Sequence, residues 1–518
     1  MSCSIIQLLF CCACILLFAN GQSYKEKYRL QVHFSLPKGW ANDPNGLIYV
    51  DGYYHLYYQN NPASTIVGPV HWGHARSKDL MHWENLPIAL KPDGKKQIFS
   101  GCCILAKRNL IGLAADVGIA KDKQSNILLA IYTHHDDVAE TQAMSYSFDN
   151  GTTWTQYSGN PIIKNPGSPD FRDPNIIERN GIFYMALAVN DRISFYSSTN
   201  LKSWKYLSSF GIQPIEGDHS GVWECPSIIS LKDEQGKKHD ILIVSLNPSS
   251  RGSAMQYFVG AFDGVQFKSY GKSGVLWLDN GFDNYAAIPY HNDPHDRAVI
   301  IGWMSNWMYA ANIPTSTWRG QFTIPRELSL KTVNGVLHVS QRPVDELNKL
   351  IDPLRTWSLR KPIDLGGKQT IDLTQQIPFK TGSLLKMEYV LDIGCAKSGK
   401  VSLQFGNDLG EFVSFNFDIT KGIYELDRSK SGNVSFHHRF AETARANRIS
   451  TSKLLSGLVI LDVASIEILA DDGLNSFTNL FFPNKPFENI KIISNVENTS
   501  KCIKIQKINV AVLRSIWK

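Results

Sequence analysis

The sequence contains little charge of either sign and no long basic run. Charged residues make up 19% of its 518 residues, the formal net charge is +6, and no run of Lys or Arg exceeds two. Proteins that bind nucleic acid present clustered basic residues, so the composition argues against a nucleic-acid partner. Aromatic residues reach 11%, and this combination is typical of β-rich proteins that handle carbohydrate.

Cysteine is scarce beyond the N-terminus. Four of the nine Cys lie within the first 14 residues. The remaining five are Cys102, Cys103, Cys225, Cys395 and Cys502. Five are too few for a disulfide framework. A Cys395–Cys502 bridge is one alternative, and we expect the other three to pack as small buried hydrophobes.

Long apolar runs are absent except at the N-terminus, where one extends over residues 5–18. It is followed by Ala-Asn-Gly, and we predict a secretory signal peptide at 1–21 that is cleaved to leave a secreted protein without membrane contact. A retained anchor is the alternative, although the run is short for a span. Glycosylation sequons that fit secretion occur at Asn150, Asn433 and Asn498.

Helical periodicity is scarce before residue 340, and short β-branched and aromatic runs dominate instead. YVDGYYHLYY and IIERNGIFYMALAV each predict a hairpin around a Gly turn. A pattern of strand, polar turn and aromatic residue recurs, with the aromatic at Trp83, Trp154, Trp204 and Phe267. The spacings of 71, 50 and 63 residues match a four-stranded propeller blade with its loops. SFDNGTTW, at 147–154, is also an Asp-box, a structural turn.

Five segments qualify as the opening strand of such a unit. They begin at Asn45, Ser100, Asn175, Ser227 and Tyr285. We therefore predict an all-β chain with a five-bladed β-propeller over 22–345, and an irregular array of sandwiches is the alternative. After a short helix or linker at 346–364, strand patterns separated by Gly, Ser and Asn turns predict a β-sandwich over 365–518.

Three of the opening segments carry an acid close to a proline. These acids are Asp43, Asp173 and Glu224. Inner strands of a propeller all start at one end of its channel, so we expect the three carboxylates to converge there, and the prolines to restrict how the aspartates point. A single Asp-Pro is most simply a surface turn, but three at matched positions indicate a site. Crowding would raise the pKa of one member, as a general acid requires.

Paired carboxylates are the basic equipment of glycoside hydrolysis. One acid protonates the leaving oxygen, and the other attacks the anomeric carbon or activates water. The third can stabilise developing positive charge or hold sugar hydroxyls, and we expect Arg172 to keep the neighbouring Asp173 ionised. The HHDD segment at 134–137 is interpreted as a solvated polar loop rather than a metal site. Asp283 is either a turn residue or a contact to a substrate hydroxyl.

Several blocks of sequence resemble glycoside hydrolase family 32, which includes invertases, exo-inulinases and levanases. GWANDPNG at 39–46, FRDP at 171–174 and WECP at 223–226 resemble its three signatures. The segment GWMSNWMYAANIPTSTWRG followed by IPREL, and YELDRSKSG and ASIEILADDG near the C-terminus, are also similar to family motifs. The resemblance covers nearly the whole chain beyond the leader and implies a propeller with a β-sandwich.

The resemblance implies a retaining mechanism without a metal or an organic cofactor. Asp43 would be the nucleophile, Glu224 the acid and base, and Asp173 the group that binds fructosyl hydroxyls. The family's fructose pocket maps onto Asn42, Gln59, Phe99, Ser100, Arg172, Tyr285 and Trp303. Ala41, Val67, Cys102, Cys103 and Ala464 depart from common family residues, and Val67 removes an expected aromatic wall.

The substrate expected from this resemblance is sucrose or a fructan, with terminal β-fructosyl units released by hydrolysis. The order of preference among sucrose, inulin and levan stays open, as does the oligomeric state. Three other functions also stay open. They are a fructosyltransferase with the same residues, a noncatalytic sugar-binding propeller, and a sialidase, for which no Tyr nucleophile and Arg cluster can be assembled.

Overall fold

The computed structural model describes residues 24–107, 126–271, 274–394, 396–497 and 502–517. In these ranges nearly all regular structure is β-strand, and the helical segments are two short 3₁₀ helices, Ala310–Asn312 and Asp345–Leu350. The predicted all-β class is confirmed. Neither helix is long and apolar enough to cross a lipid bilayer. The predicted signal peptide and the sequon at Asn498 lie outside the described residues.

Two antiparallel sheets form first along the chain. The first contains β1 (Gly39–Val50), β2 (Tyr53–Asn61), β3 (His71–Ser77) and β4 (Trp83–Leu90). The second contains β5 (Gln97–Lys107), β6 (Asn126–His135), β7 (Glu140–Ser147) and β8 (Thr155–Gln156). The turn between β1 and β2 is Asp51-Gly52, with φ values of 51° and 80°, as a two-residue hairpin requires. The predicted hairpin is confirmed.

Three more sheets repeat this arrangement. The third contains β9 (Phe171–Arg179), β10 (Ile182–Val189), β11 (Arg192–Ser198) and β12 (Lys205–Phe210). The fourth contains β13 (Val222–Lys232), β14 (Lys238–Ser249), β15 (Gly252–Phe262), β16 (Phe267–Ser269) and β17 (Leu276–Trp277). The strands that follow are β18 (Tyr285–Pro289), β19 (Val299–Trp303), β20 (Trp318–Arg319), β21 (Arg326–Val333) and β22 (Val336–Pro343). All but β20 form the fifth sheet.

The first strands of the five sheets surround a central channel. Contacts run from β1 to β5, β9, β13 and β18 in turn, and from β18 back to β1. The short strand β20 pairs with β1 in parallel, which ties the end of this region to its beginning. We interpret the five sheets as the blades of the propeller. Hydrophobic side chains between neighbouring sheets, such as Ile131 and Met185, pack into shared cores.

The Asp-box is confirmed as a structural turn between β7 and β8. The Ser147 hydroxyl accepts the Gly151 N–H at 2.8 Å, and the Asp149 carboxylate accepts the Thr153 N–H at 2.9 Å. Strand β7 runs parallel to β5 because each is antiparallel to β6. The turn therefore lies at the end of the blade opposite to the N-terminal ends of the channel strands.

Thirteen further strands form the C-terminal sandwich. They are β23 (Ile351–Ser358), β24 (Ile363–Leu365), β25 (Lys368–Asp372), β26 (Leu385–Asp392), β27 (Gly399–Gly406), β28 (Phe412–Asp418), β29 (Ile423–Lys430), β30 (Ala444–Asn447), β31 (Leu454–Asp462), β32 (Ser465–Ala470), β33 (Asn475–Leu480), β34 (Asn489–Val496) and β35 (Ile503–Leu513). One sheet has the order β23-β35-β26-β31-β32-β33, with β24 also on β35. The other has the order β25-β34-β27-β28-β29-β30.

The sandwich core follows from alternation along its strands. In β26 every second residue is buried, starting with Leu385 and Met387, while Lys386 and Glu388 between them face outward. The buried side chains of both sheets meet in one hydrophobic cluster that includes Phe405, Phe415 and Ile492. A propeller followed by a β-sandwich, as predicted from the sequence, is therefore the architecture of the chain.

The predicted linker at 346–364 is wrong in its central part. Residues 351–358 form β23, which pairs with β35 at Trp357 and Val510 and thereby belongs to the sandwich. The pattern was weak because β23 lies at the edge of its sheet, where half of the side chains face water. Among the cysteines, Cys102 and Cys103 are free and buried as predicted. Cys502 is in a disulfide, and Cys395 lies outside the described residues.

A cluster of buried charges joins the propeller to the sandwich, and we call it the interface cluster. Arg326 of β21 contacts Glu467 of β32 at 2.6 Å and Asp279 at 3.0 Å. His33 bridges Glu467 at 2.9 Å and Asp462 at 2.7 Å. Asp283 is also part of this cluster. It pairs with Arg428 of β29 and accepts a hydrogen bond from Tyr309, so its role is structural.

Candidate active site

Each of the five channel strands carries a β-bulge near its N-terminal end. At each bulge the channel strand advances by three residues while its partner strand advances by two. The intervals are Ala41–Pro44, Ile98–Gly101, Arg172–Asn175, Glu224–Ser227 and Tyr285–Ile288. Bulges change the direction of side chains and occur often beside active sites. Here they turn one set of residues from every blade toward the same end of the channel.

The three predicted acids lie inside these strands rather than ahead of them. Asp43 and Asp173 occupy the bulges of β1 and β9, and Glu224 begins the bulge of β13. Asp173 has φ = 65° and Cys225 has φ = 47°, a conformation that costs free energy for residues other than glycine and that concentrates at functional sites. The prolines are accommodated because a bulge interrupts the ladder of hydrogen bonds.

Asp43 is held by a set of polar donors. Its Oδ2 accepts the Ser100 hydroxyl at 2.7 Å, and its Oδ1 accepts the Asn42 amide at 3.1 Å. The Gln59 amide reaches Oδ2 at 3.4 Å and also contacts the Ser100 hydroxyl. Asn42 is fixed in turn because its Oδ1 accepts the Trp40 indole N–H at 2.8 Å. These contacts orient the Asp43 carboxylate, which is the acceptor in each of these hydrogen bonds.

Asp173 lies next to Asp43, with the Cys225 thiol between them. The sulfur is 3.5 Å from Asp173 Oδ2 and 3.6 Å from Asp43 Oδ2. The backbone N–H of Cys225 donates to the same Asp173 oxygen at 3.0 Å, and the Asp173 N–H donates to Thr133 Oγ1 at 3.0 Å. Cys225 is free and buried in a hydrophobic cluster, as predicted, but its thiol also contacts both carboxylates, which was not predicted.

Glu224 is contacted by one cation and one phenol. The Arg172 Nε donates to Glu224 Oε1 at 3.1 Å, and the Tyr285 hydroxyl donates to Oε2. The predicted pairing of Arg172 with Asp173 is therefore replaced by a pairing with Glu224.

Burial raises the pKa of all three acids. For Asp43, burial is opposed by hydrogen bonds from Ser100 and Asn42. For Asp173, burial and the charge of Glu224 outweigh Arg172 and raise the pKa to about 8. For Glu224, burial and the charge of Asp43 outweigh Arg172 and raise the pKa. Three closely placed carboxylates beside one guanidinium cannot all carry a charge at low cost, so the arrangement favours retention of a proton.

The residues predicted around the acids fall into two groups. Asn42, Gln59, Ser100, Arg172 and Tyr285 contact the three acids directly. Phe99 and Trp303 lie farther out. The Phe99 ring stacks on His135 at 4.2 Å, while Trp303 has no exposed surface and contacts Tyr285 with ring centroids 6.5 Å apart. Trp303 thus supports Tyr285 from behind instead of lining open space.

Three contacts of the site were not predicted from the sequence. They come from Thr133, Glu140 and the Cys225 thiol. Thr133 and Glu140 lie on β6 and β7 and carry no motif, so no local pattern could have identified them. The HHDD segment is partly misassigned, because His134 is buried in β6 and His135 contacts Glu140 at 3.2 Å. Within the described ranges, no group of three or more His, Cys, Asp or Glu is placed to hold a metal ion.

Comparison with known proteins gives one consistent result. The N-terminal domain of glycosyl hydrolases family 32 matches residues 33–343, and the C-terminal domain of the same family matches residues 355–511. A levanase of Bacillus subtilis is 36% identical over 511 residues, which cover 96% of this chain and 72% of the levanase. An extracellular exo-inulinase of Aspergillus niger is 33% identical, over 96% of this chain and 97% of its own length.

A solved structure is similar over the same extent. The crystal structure of exo-inulinase from Aspergillus awamori superposes with a TM-score of 0.84 at 31% sequence identity. The match covers 95% of this chain and all of that one. The similarity therefore includes both the propeller and the sandwich.

Proposed function

Because this chain belongs to glycoside hydrolase family 32, we propose that it is a retaining β-fructofuranosidase that releases terminal β-D-fructosyl units from sucrose or fructans. The observation that supports this most strongly is the convergence of Asp43, Asp173 and Glu224. These acids come from three blades. The Cys225 thiol joins Asp43 and Asp173, and Glu224 lies close enough to interact electrostatically with both. Two carboxylates and an oxocarbenium-like transition state are the requirements of retaining glycoside hydrolysis.

In the first step Asp43 attacks the anomeric carbon of the fructosyl unit while Glu224 protonates the leaving oxygen. The bond to the leaving group breaks as the ester bond to Asp43 forms. Asp43 suits the nucleophile because Ser100, Asn42 and Gln59 all direct donors at it and favour its ionised form. Glu224 suits the acid because burial raises its pKa.

In the second step Glu224, now ionised, removes a proton from water, and the water oxygen attacks the same carbon. Asp43 leaves and the product has the configuration of the substrate. Asp173 lies beside Asp43 and accepts hydroxyl groups of the fructosyl unit. Its pKa of about 8 lets it take up or share the proton that the crowded site retains. The reaction needs no added metal or cofactor.

The remaining parts of the proposal concern the whole chain. We propose that residues 1–21 direct secretion and are removed, in agreement with the extracellular exo-inulinase to which the chain is similar. The catalytic propeller then extends over 22–345, and the sandwich follows. The exposed Ile66 and Val67 lie on the loop between β2 and β3, at the channel end that carries the acids, and form an aliphatic edge to the pocket.

The central test is Asp43→Asn, assayed on sucrose, inulin and levan. We expect kcat to fall by about 10⁴-fold or more, because the amide cannot form the ester intermediate. The matched control is Asp51→Asn, which removes an exposed carboxylate from the turn at the other end of β1 and should leave hydrolysis unchanged. Full activity of the Asp43 variant would exclude the proposed nucleophile.

Stereochemistry provides an independent test. In the presence of methanol, a retaining enzyme transfers the fructosyl unit to give the methyl β-fructofuranoside, whereas inversion gives the α anomer. Products separated at high sucrose concentration also distinguish hydrolysis from transfer to a second sugar. An α product would contradict the ester intermediate, and fructosylated oligosaccharides in place of free fructose would identify a transferase.

A further inference from the structure

A further buried carboxylate, Glu140, is connected to Glu224 through Arg172, which contacts both side chains. It begins β7 and is paired in register with His135 at the end of β6. Its Oε2 accepts the Phe171 N–H at 2.7 Å, and both oxygens lie 3.2 Å from Arg172 Nη1. Its Oε1 also lies 3.2 Å from His135 Nδ1. Glu140 itself is 4% exposed, while its partners Arg172 and His135 are 14% and 34% exposed.

Arg172 is consequently shared between opposing carboxylates. Its Nη1 faces Glu140 and the more exposed Asp170, and its Nε faces Glu224. Burial would raise the pKa of Glu140, but His135 and Arg172 outweigh it and lower the pKa. Glu140 is therefore a constant anion that draws the far end of the guanidinium away from Glu224. An Arg without such a competitor prefers a two-nitrogen contact with a single carboxylate.

The same carboxylate reaches a second part of the pocket. The His135 ring, held by Glu140, lies parallel to the Phe99 ring with an interplanar angle of 4° and a centroid separation of 4.2 Å. Phe99 occupies the bulge of β5, next to Ser100, which donates to Asp43. One side chain thus fixes both the cation that faces the acid and the aromatic ring at the pocket edge.

We propose that Glu140 is a positioning residue, which holds Arg172 to a single contact with Glu224 and so keeps Glu224 available as a proton donor. This inference rests on the proposed function, because it assigns proton donation to Glu224. Glu140 itself is separated from the reacting atoms by Arg172. Without the Glu140 charge, Arg172 Nη1 keeps only Asp170 as an anionic partner, so Arg172 pairs more closely with Glu224 and stabilises the ionised acid, which cannot donate a proton.

The groups that face Glu224 from the surrounding strands all enter this balance. They are Arg172 and Asp173 on β9, Asp43 on β1, Cys225 on β13 and Tyr285 on β18. Glu140 and Asp170 act on Glu224 through Arg172. Removal of the Glu140 charge leaves all of these in place and makes the potential at Glu224 more positive. The direction is unambiguous, because both the loss of the anion and the tighter Arg172 contact favour ionised Glu224.

The experiment compares Glu140→Gln, Glu140→Asp and the matched control Asp137→Asn, which removes an exposed carboxylate from the same hairpin. The readout is the pH profile of kcat/KM for sucrose. We expect the alkaline limb, which reports the proton donor of the free enzyme, to move to lower pH by about one unit in Glu140→Gln. Glu140→Asp should restore its position, and Asp137→Asn should leave it unmoved.

A second variant separates the two contacts of Glu140. His135→Gln removes the ring that stacks on Phe99 but keeps the carboxylate on Arg172, so we expect a higher KM and an unmoved alkaline limb. This variant also preserves the test if Glu140→Gln does not fold, because a shifted limb in His135→Gln would overturn the assignment.

An unmoved or upward-shifted limb in folded Glu140→Gln overturns the inference and leaves the proposed function intact. If instead the unchanged protein hydrolyses none of the three sugars, the proposed function itself fails. The two failures are thereby distinguishable. A drop in kcat/KM at all pH values without a shifted limb would indicate a purely structural role and would also contradict the proposal.

Discussion

Two clusters of buried carboxylates in this protein differ in how their charges are balanced. At the candidate active site, Asp43, Asp173 and Glu224 lie around one guanidinium, that of Arg172, which contacts Glu224 and Glu140. In the interface cluster, four carboxylates meet Arg326, Arg428 and His33. The clusters differ in the ratio of anions to cations. They also differ in exposure, because the Arg172 and Glu224 side chains are 14% and 20% exposed and those of Arg326 and Glu467 are 1% and 0% exposed.

The carboxyl pKa shifts in the two clusters have opposite signs. Burial and repulsion raise the pKa of Asp173 to about 8, whereas the charge of Arg326 and the hydrogen bond of His33 outweigh burial and lower the pKa of Glu467. The interface cluster keeps Glu467 ionised and joins the two domains. The site keeps its acids short of cations, and this preserves a proton for chemistry at a cost in stability.

The largest effect that would sharpen this contrast comes from Asp173→Asn. We expect kcat to fall by about 10³-fold, because an amide, unlike a carboxyl group, cannot ionise to offset the developing positive charge. The same change removes a repelled buried carboxylate, so the free energy of unfolding at pH 7 should rise by roughly 1–3 kcal/mol. Fructose release and thermal unfolding, measured on one preparation, check both. A variant that is inactive and also less stable would contradict the account of the site.

The corresponding change in the interface cluster should act in the opposite direction on stability. Arg326→Met leaves Glu467 and Asp279 buried with fewer partners, and we expect a loss of about 3–5 kcal/mol in unfolding free energy. Arg326→Lys keeps the positive charge but loses the several donors of the guanidinium. Its unfolding free energy should lie between those of Arg326→Met and the unchanged protein. Denaturant titration gives the values. Near-native stability of Arg326→Met would show that the cluster does not hold the domains together.

His33 makes the interface cluster sensitive to alkaline pH. Burial alone would lower the pKa of His33, but Asp462 and Glu467 outweigh it and raise the pKa to about 9. A raised pKa contributes stability that is fully present below the unfolded value near 6.5 and is lost as the pH rises through about 9. The loss is up to about 3 kcal/mol. His33→Gln should flatten this part of the stability profile.

The His33 measurement needs the Asp173→Asn background. The folded-state pKa of Asp173 is raised to about 8. Its contribution to stability is therefore present below its unfolded pKa and is also lost as the pH rises through about 8. With Asp173 replaced, the remaining alkaline loss belongs to His33. An unchanged slope in the double variant would contradict the assignment to the interface.

The smallest effect is expected where charges are paired but exposed. Lys485 and Asp408 form an ion pair at 3.0 Å with side chains 51% and 71% exposed. Asp408→Asn should change the unfolding free energy by less than about 1 kcal/mol. A larger change would show that burial is not what separates this pair from the interface cluster, and would weaken the comparison.

The channel strands show most clearly how much of the fold could be predicted from the sequence. Alternation and turn residues marked all five, and the Asp51-Gly52 turn was identified because a two-residue hairpin needs a positive φ at both positions. The start of β18 at Tyr285 is confirmed, and the other four starts were placed three to six residues too late, because a bulge interrupts the periodicity on which the prediction depends. The edge strand β23 was taken as linker for a related reason, since an edge strand with water on one side has few buried positions.

The sequence by itself determined the fold class and the acids, because strand periodicity, turn chemistry and the motifs around Asp43, Asp173 and Glu224 are local. Only the tertiary structure decided which charges these acids meet. Cys225 reaches Asp43 across 182 positions of sequence, and Arg172 reaches Glu140 across 32. Such contacts, and the exclusion of water that makes them strong, depend on how the blades close around the channel. No property of a single segment encodes them.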